Sequence, residues 1–255
     1  MVSMIGIFDS GSGGLSVLRA VRERAPKADI VYFGDLKNAP YGNKKRTELD
    51  ALTAHGFQTL LDNGATHIVS ACNSVSVSSR SSCEACQLSY KALIEMVGPT
   101  VQRFENTKAH VLVLATKATI ESEIYQTEFN NRGIKADGVA LPELVQCIEN
   151  GAEKAYMQRQ VRETLENNLQ SEHTHTVLGC THFPLVRDVF EHALQELEKE
   201  AIIVDPAEAV ADAVVARFDT KGEGTTRILL SAESEVFKTF LTSLFPEGVS
   251  GIEVI

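Results

Sequence analysis

No stretch of the chain stays apolar for the roughly 18–20 residues that a membrane-spanning helix needs, so no membrane span is expected. A secretory signal is missing too: the apolar start, residues 1–8, has no basic lead and runs straight into Asp9. Positive charge is in short supply, 24 Lys+Arg against 34 Asp+Glu for a net charge of -10. That balance argues against non-specific binding to nucleic acid or to an acidic membrane, both of which need a basic face. Cysteine is sparse and odd in number, five residues in all, which suggests no disulfide framework. Fixed-period repeats are lacking, and only the Ser-rich stretch 74–82 approaches low complexity. The expectation left standing is a reduced, cytoplasmic, enzyme-sized protein. Its 44% hydrophobic and 23% charged residues supply an ordinary globular core, and its length suits one large domain or two smaller ones. An anionic small molecule is still a reasonable partner, because a local pocket of donors can oppose the global charge.

Short Val- and Ile-rich runs alternate with amphipathic stretches from end to end. Strands are predicted at residues 4–8, 30–33, 67–71, 93–97, 111–115, 176–178, 202–204 and 227–230, each bounded by Gly, Asp, Ser or Pro. Between them Leu15, Leu18 and Val21 follow helical spacing, as do Phe57, Leu60 and Leu61, then Val161, Leu165 and Leu169, then Leu185, Val189, Leu194 and Leu197. Alternation of this kind predicts an α/β protein with parallel sheets covered by helices.

Two segments share one plan. His67-Ile-Val-Ser-Ala-Cys72-Asn73-Ser74 and Thr176-Val-Leu-Gly-Cys180-Thr181-His182 each run from an apolar strand through a small residue to a cysteine and then polar residues. Ligands bind at the carboxyl ends of parallel strands. Two cysteines at two such ends therefore suggest one from each of two similar halves, facing a shared cleft. A single buried cysteine is usually only a small hydrophobe; the matched contexts make these two candidates for catalysis.

Other segments are weaker alone. The turn Ser10-Gly11-Ser12-Gly13-Gly14 after the first strand offers backbone N–H groups to an anion, yet it is neither a dinucleotide fingerprint nor a P-loop. Asp9 reads equally as a helix cap, and Pro40-Tyr41-Gly42 as a plain turn. His182 is a candidate modulator of the Cys180 thiol, and Glu149 is by default a solvated surface carboxylate. Cys83-x-x-Cys86 has no second ligand pair for zinc and does not follow a strand directly, so two ordinary cysteines are expected there. No His/Cys cluster has metal-site spacing, and no lysine stands at either cysteine-bearing strand end to hold pyridoxal phosphate. Neither a metal nor a cofactor is expected.

Taken in order and spacing, Phe8-Asp9-Ser10-Gly11-x-Gly13-Gly14, Pro40-Tyr41-Gly42, Ala71-Cys72-Asn73-Ser74 and Gly179-Cys180-Thr181-His182 resemble the glutamate racemases of the aspartate/glutamate racemase superfamily. Gly34-Asp35, Ala115-Thr116-x-x-Thr119-Ile120-x-Ser122 with Tyr125, and Glu149-Asn-Gly151 fit as well, so the resemblance spans nearly the whole chain. The chain departs from the family at Ser74, where a threonine is usual, and in the Ser- and Cys-rich stretch 75–88. The resemblance implies two similar α/β domains, residues 1–98 plus 207–255 and residues 99–206, with the active site between them. It also implies that Cys72 takes the α-proton from the D-enantiomer and Cys180 from the L-enantiomer. Asp9 would assist Cys72, while Glu149 and His182 would assist Cys180. Ser10, Pro40, Tyr41, Gly42, Asn73, Ser74, Thr116, Thr119 and Thr181 would bind the substrate. A homodimer is a common assembly in that family. Some members carry an N-terminal extension linked to activation by a cell-wall precursor; with eight residues before Asp9, that route is not expected here.

Thiols suit this chemistry. Inverting an α-carbon without a cofactor needs a base on one face and an acid on the other. A free cysteine, with a pKa near roughly 8.5, can serve as either near neutral pH. The leading expectation is a cofactor-independent glutamate racemase supplying D-glutamate for peptidoglycan. Alternatives are a racemase of another acidic amino acid such as aspartate, a non-catalytic carboxylate-binding homologue, or a nucleotide-binding α/β protein. Binding alone requires no thiol, and the P-loop lysine is missing, so the paired cysteines favour the enzyme.

Overall fold

A computed structural model describes residues 3–255. In chain order its strands are β1 (Met4–Asp9), β2 (Asp29–Gly34), β3 (His67–Ser70), β4 (Leu93–Glu95), β5 (His110–Ala115), β6 (Lys135–Ala140), β7 (His175–Gly179), β8 (Ile202–Val204), β9 (Thr226–Leu230) and β10 (Gly251–Val254). They form a six-stranded sheet in the order β10-β9-β2-β1-β3-β4 and a four-stranded sheet in the order β6-β5-β7-β8. Every pairing is parallel. The run β2-β1-β3-β4 repeats as β6-β5-β7-β8, so β3 and β7 are equivalent strands. The two matched cysteine segments follow those two strands.

Central strands are apolar on both faces because helices cover both. All six residues of β2 are buried. In β5, Leu112 and Leu114 join one core with Val161, Leu165, Val189 and Phe190, while Val111 and Val113 join another with Val101, Tyr125 and Phe129. This is the period-two alternation of a strand between two helical layers. In the larger sheet, the helix Leu15–Arg24 lies with the helix Pro206–Arg217 on one face, and the helix Arg46–Asp62 covers the other. Each fully buried Leu, Val, Ile or Phe contributes roughly 1.5–3 kcal/mol, so these layers hold the strand ends rigidly in place.

All eight predicted strands are present, two of them shorter than expected. The strand over 67–71 stops at Ser70. The strand expected over 93–97 ends at Glu95, whose carboxylate accepts the N–H groups of Val97 (2.6 Å) and Gly98 (2.7 Å) and starts the helix Val97–Gln102. Gly98-Pro99 therefore lies in a first helical turn. Pro206 likewise opens a helix, with Asp205 accepting from the Ala207 N–H at 2.9 Å. The sequence reading missed β6 and β10. Both are edge strands with exposed faces, so neither carries the apolar run that marks the central ones.

Helix Arg46–Asp62 meets β1 at Gly56, where a Cβ would stand 2.3 Å from the Phe8 ring. That ring cannot retreat, because Phe33, Tyr41 and Phe57 surround it at 6.0, 6.2 and 6.0 Å. Alanine gains up to about 1 kcal/mol of helix propensity over glycine, but overpacking costs about 1–3 kcal/mol. Gly56→Ala is thus expected to lower the melting temperature by about 2–6 °C. A thermal melt in which the variant gains stability would refute this packing account.

Candidate active site

Parallel pairing brings the carboxyl ends of β1, β3, β5 and β7 to one place, and each strand there gives way to polar residues. Asp9 ends β1, Cys72 lies two residues beyond β3, Thr116 follows β5, and Cys180 follows β7. From β1 the chain adds β2 on one side and β3 on the other, and from β5 it adds β6 and β7 in the same way; such switch points in strand order open the crevices in which ligands bind. The halves meet closely. A Cβ on Gly13 would come within 2.5 Å of the Thr181 Oγ1 and 2.6 Å of the His182 Nδ1, so the Gly-rich turn can lie against the end of β7 only with glycine there.

Cys72 and Cys180 line one cavity, together with Ser10, Pro40, Tyr41, Gly42, Asn73, Ser74, Thr116, Thr181 and His182 of the expected set, and with Val145. This cavity holds about 10 Å³, room for about one water molecule. It adjoins a wider one of about 330 Å³ that shares Ser10, Pro40, Val145 and His182 and extends to Glu149. Three expected residues stand behind the wall. Asp9 is fully buried, accepting from the Gly11 N–H (2.8 Å) and the Thr181 hydroxyl (3.1 Å). Thr119 lies 3.0 Å from the Thr116 hydroxyl, which in turn is 2.9 Å from that of Ser74. Glu149 lines the wider cavity but reaches the thiol cavity only through His182.

The two thiols have unlike surroundings. The Cys72 sulfur sits 3.6 Å from the Ser10 hydroxyl, and burial, reinforced by the charge of Asp9, pushes its pKa up to about 12. The Cys180 sulfur is 4.0 Å from the His182 Nδ1. The His182 Nε2 lies 2.5 Å from the Glu149 Oε1, and Glu149 also accepts from the Ser12 N–H (2.9 Å) and hydroxyl (3.2 Å). Burial alone would lower the His182 pKa, but its contacts with Cys180 and Glu149 outweigh that and raise it well above the ordinary range. Glu149 is the converse: burial works against its charge, and the bonds from His182 and Ser12 prevail and hold its pKa below the usual carboxylate value. Asp9 is raised by burial in spite of His182 and its own hydrogen bonds.

Three supporting residues received no role from the sequence. Ser12 anchors Glu149. Asp35 accepts from the Tyr41 hydroxyl (2.6 Å) and the Ser231 hydroxyl (2.7 Å) and so fixes the Pro40-Tyr41-Gly42 loop. Tyr125 donates to the Asn73 Oδ1 at 2.7 Å. Asp35 at a strand end was a visible signal; the contacts of Ser12 and Tyr125 cross between distant segments and left none. Cys83 and Cys86 lie outside the cavity, and burial pushes the Cys83 thiol up to about 11.

One cluster with metal-ligating side chains exists that spacing could not reveal. His110 and His173 approach Asp137 Oδ2 at 2.8 and 2.9 Å, at the amino end of β5 and away from the thiols. The His173 Nδ1 accepts the Gln170 N–H at 2.9 Å. Its proton therefore sits on Nε2, facing Asp137, and leaves no lone pair there for a metal.

The sequence profile of the Asp/Glu/Hydantoin racemase family matches residues 12–214. Glutamate racemase 3 of Caldanaerobacter subterraneus subsp. tengcongensis is 34% identical over 242 residues, covering 91% of this chain and 87% of that protein. Among solved structures, glutamate racemase from Francisella tularensis in complex with D-glutamate superposes with a TM-score of 0.88 at 23% identity, over 100% of this chain and 97% of that one. Glutamate racemase from Thermus thermophilus in complex with beta-chloro-D-alanine gives 0.83 at 27% identity, over 100% and 97%. With its two like-ordered sheets and paired cysteines, the chain belongs to the Asp/Glu/Hydantoin racemase family, among the glutamate racemases, and is an amino-acid racemase, an isomerase.

Proposed function

We propose that the cleft interconverts L- and D-glutamate without a cofactor, with Cys72 and Cys180 as its two acid–base groups, and that it supplies D-glutamate for peptidoglycan in the cytoplasm. Two domains, residues 1–98 plus 207–255 and residues 99–206, would flank that cleft. The observation that carries this reading is the pair of thiols lining one cavity from equivalent strands. The D-glutamate held by the Francisella tularensis relative supports the choice of substrate. Among the described residues, no helix is long and apolar enough to cross a membrane.

For L-glutamate, the Cys180 thiolate takes the α-proton: an S–H bond forms, the Cα–H bond breaks, and the electron pair spreads into the α-carboxylate. Cys72 then delivers its thiol proton to the opposite face and becomes the thiolate. D-glutamate runs the steps in reverse. The raised Cys72 suits the acid of the forward direction, and His182, its own pKa raised, stands beside Cys180 as the neighbour of the other thiol. No Lys or Arg lines the cavity, so uncharged donors from Asn73, Ser74, Thr116 and Thr181 and the Gly42 backbone would hold the carboxylates.

Chiral chromatography of L-glutamate and L-aspartate, incubated with the protein in chelator and without added cofactor, tests the reading. Glutamate should approach an equal mixture of enantiomers. Turnover of aspartate alone would transfer the assignment to that substrate. Tight binding of glutamate without turnover would make the protein a carboxylate binder, and rescue of a chelated, inactive protein by zinc would overturn the metal-free mechanism.

Cys72→Ser and Cys180→Ser should each slow both directions by about 10²–10⁴-fold, the usual contribution of an acid–base group, since a hydroxyl is not ionised at neutral pH. Cys83→Ser and Cys86→Ser should stay near wild type. Initial rates from each enantiomer, with circular dichroism to confirm folding, decide the matter; a Cys180→Ser variant keeping more than about a tenth of the rate would refute the two-thiol mechanism.

Stability should follow the Glu149–His182 pair. Because the Glu149 pKa is lowered by folding, its contribution is complete above about pH 4.3 and fades as pH falls through the lowered value. Because the His182 pKa is raised, its contribution is complete below about pH 6.5 and fades only as pH rises through the raised value. The pair is therefore intact at pH 7, where Glu149→Gln should cost on the order of 1–3 kcal/mol. Urea unfolding at pH 7 and at pH 3 should show that gap closing in acid; an equal gap at both would refute the assignment.

A further inference from the structure

We infer that Tyr125, reaching across from the second half of the molecule, holds the Asn73 amide so that its nitrogen faces the cleft as the donor to a substrate carboxylate. This rests on the racemase reading for the nature of the carboxylate, but the orientation of the amide does not.

Tyr125 belongs to the short helix Ile124–Asn130, is fully buried, and stacks on Phe129 with ring centroids 6.3 Å apart. Its ring is thus fixed by packing, and its hydroxyl ends 2.7 Å from the Asn73 Oδ1. Burial, the largest influence on it, pushes the phenol well above its ordinary pKa, so the hydroxyl keeps its proton and donates it to that oxygen. That settles the two ends of the amide: Oδ1 toward Tyr125, Nδ2 away from it. The Nδ2 is buried and has no hydrogen-bond partner among the described residues. Buried polar groups are rarely left so and call for an explanation. Asn73 lines the cavity that holds both thiols, whose walls carry no Lys or Arg. An unpaired N–H donor there matches a carboxylate oxygen. Tyr125 does not line the cavity and acts only through Asn73, as a positioning residue. Without its hydroxyl the amide is free to turn over and present an oxygen, which repels a carboxylate.

Tyr125→Phe keeps the ring and its packing and removes only the hydroxyl. It should raise KM for both enantiomers about tenfold and leave kcat within about threefold, the signature of lost ground-state binding on the scale of one hydrogen bond to a charged group. Asn73→Ala should raise KM at least as far, and the double variant should be no worse than Asn73→Ala alone. Asn73→Asp retains the acceptor for Tyr125 but offers the cleft an oxygen, and should raise KM at least as far as Asn73→Ala. An unchanged KM in Tyr125→Phe or in Asn73→Asp, or a double variant whose loss is the product of the single losses, would overturn the inference. If the wild-type protein does not racemise glutamate, the substrate reading fails and nitrogen-15 NMR still decides this one. The side-chain amide pair that disappears in Asn73→Ala should be sharp in the wild type and shifted or broadened in Tyr125→Phe; a pair unmoved by loss of the hydroxyl would overturn the inference independently.

Discussion

One carboxylate ties the site together. Glu149 belongs to the segment that carries Cys180, yet two of its three hydrogen-bond partners are the backbone and hydroxyl of Ser12 in the turn after β1. The third is His182, which it holds beside Cys180. The Thr181 hydroxyl returns the connection by bonding to Asp9. Because these groups are mostly buried, each bond acts with little screening, and losing one partner would strand the others away from water. The same contacts that press the two halves together therefore also set the charge next to one thiol.

The central strands were legible because burial on both faces leaves an unbroken apolar run, as in Ile30-Val-Tyr-Phe33. The edge strands β6 and β10 were not, since Lys135, Asp137 and Glu253 face solvent and break up any apolar run. The cavity wall was legible through matched strand ends, which supplied Cys72 to Ser74 and Cys180 to His182, and through the family resemblance, which supplied Ser10, Pro40, Tyr41, Gly42 and Thr116; Val145 was not expected. What stayed hidden was the layer behind it. Ser12 with Glu149 and Tyr125 with Asn73 are separated by long stretches of chain, and no local pattern announces a hydrogen bond that only tertiary folding creates. The His110–Asp137–His173 cluster escaped for the same reason.

Equivalent strands do not make equivalent thiols. Cys72 has a hydroxyl and a buried carboxylate for neighbours, and Cys180 has a buried imidazole supported by a second carboxylate. The repeated topology β2-β1-β3-β4 and β6-β5-β7-β8 gives the two cysteines equivalent places in their sheets. The side chains then break the electrostatic symmetry, placing a carboxylate near one sulfur and an imidazole near the other.

That unevenness reaches beyond a single conversion. On the two-thiol reading, a molecule of L-glutamate that leaves as its mirror image also leaves the protein altered, with the proton now on Cys180 and the negative charge on Cys72. On that reading the unliganded protein has two tautomers, one competent for each enantiomer, and they are not equivalent, because only one places the charge beside His182. Successive conversions in the same direction require the tautomer left by one turnover to return to the other before the next. Water-mediated proton return across a cavity this confined then becomes a step of the cycle in its own right, one that weighs more heavily as substrate becomes abundant.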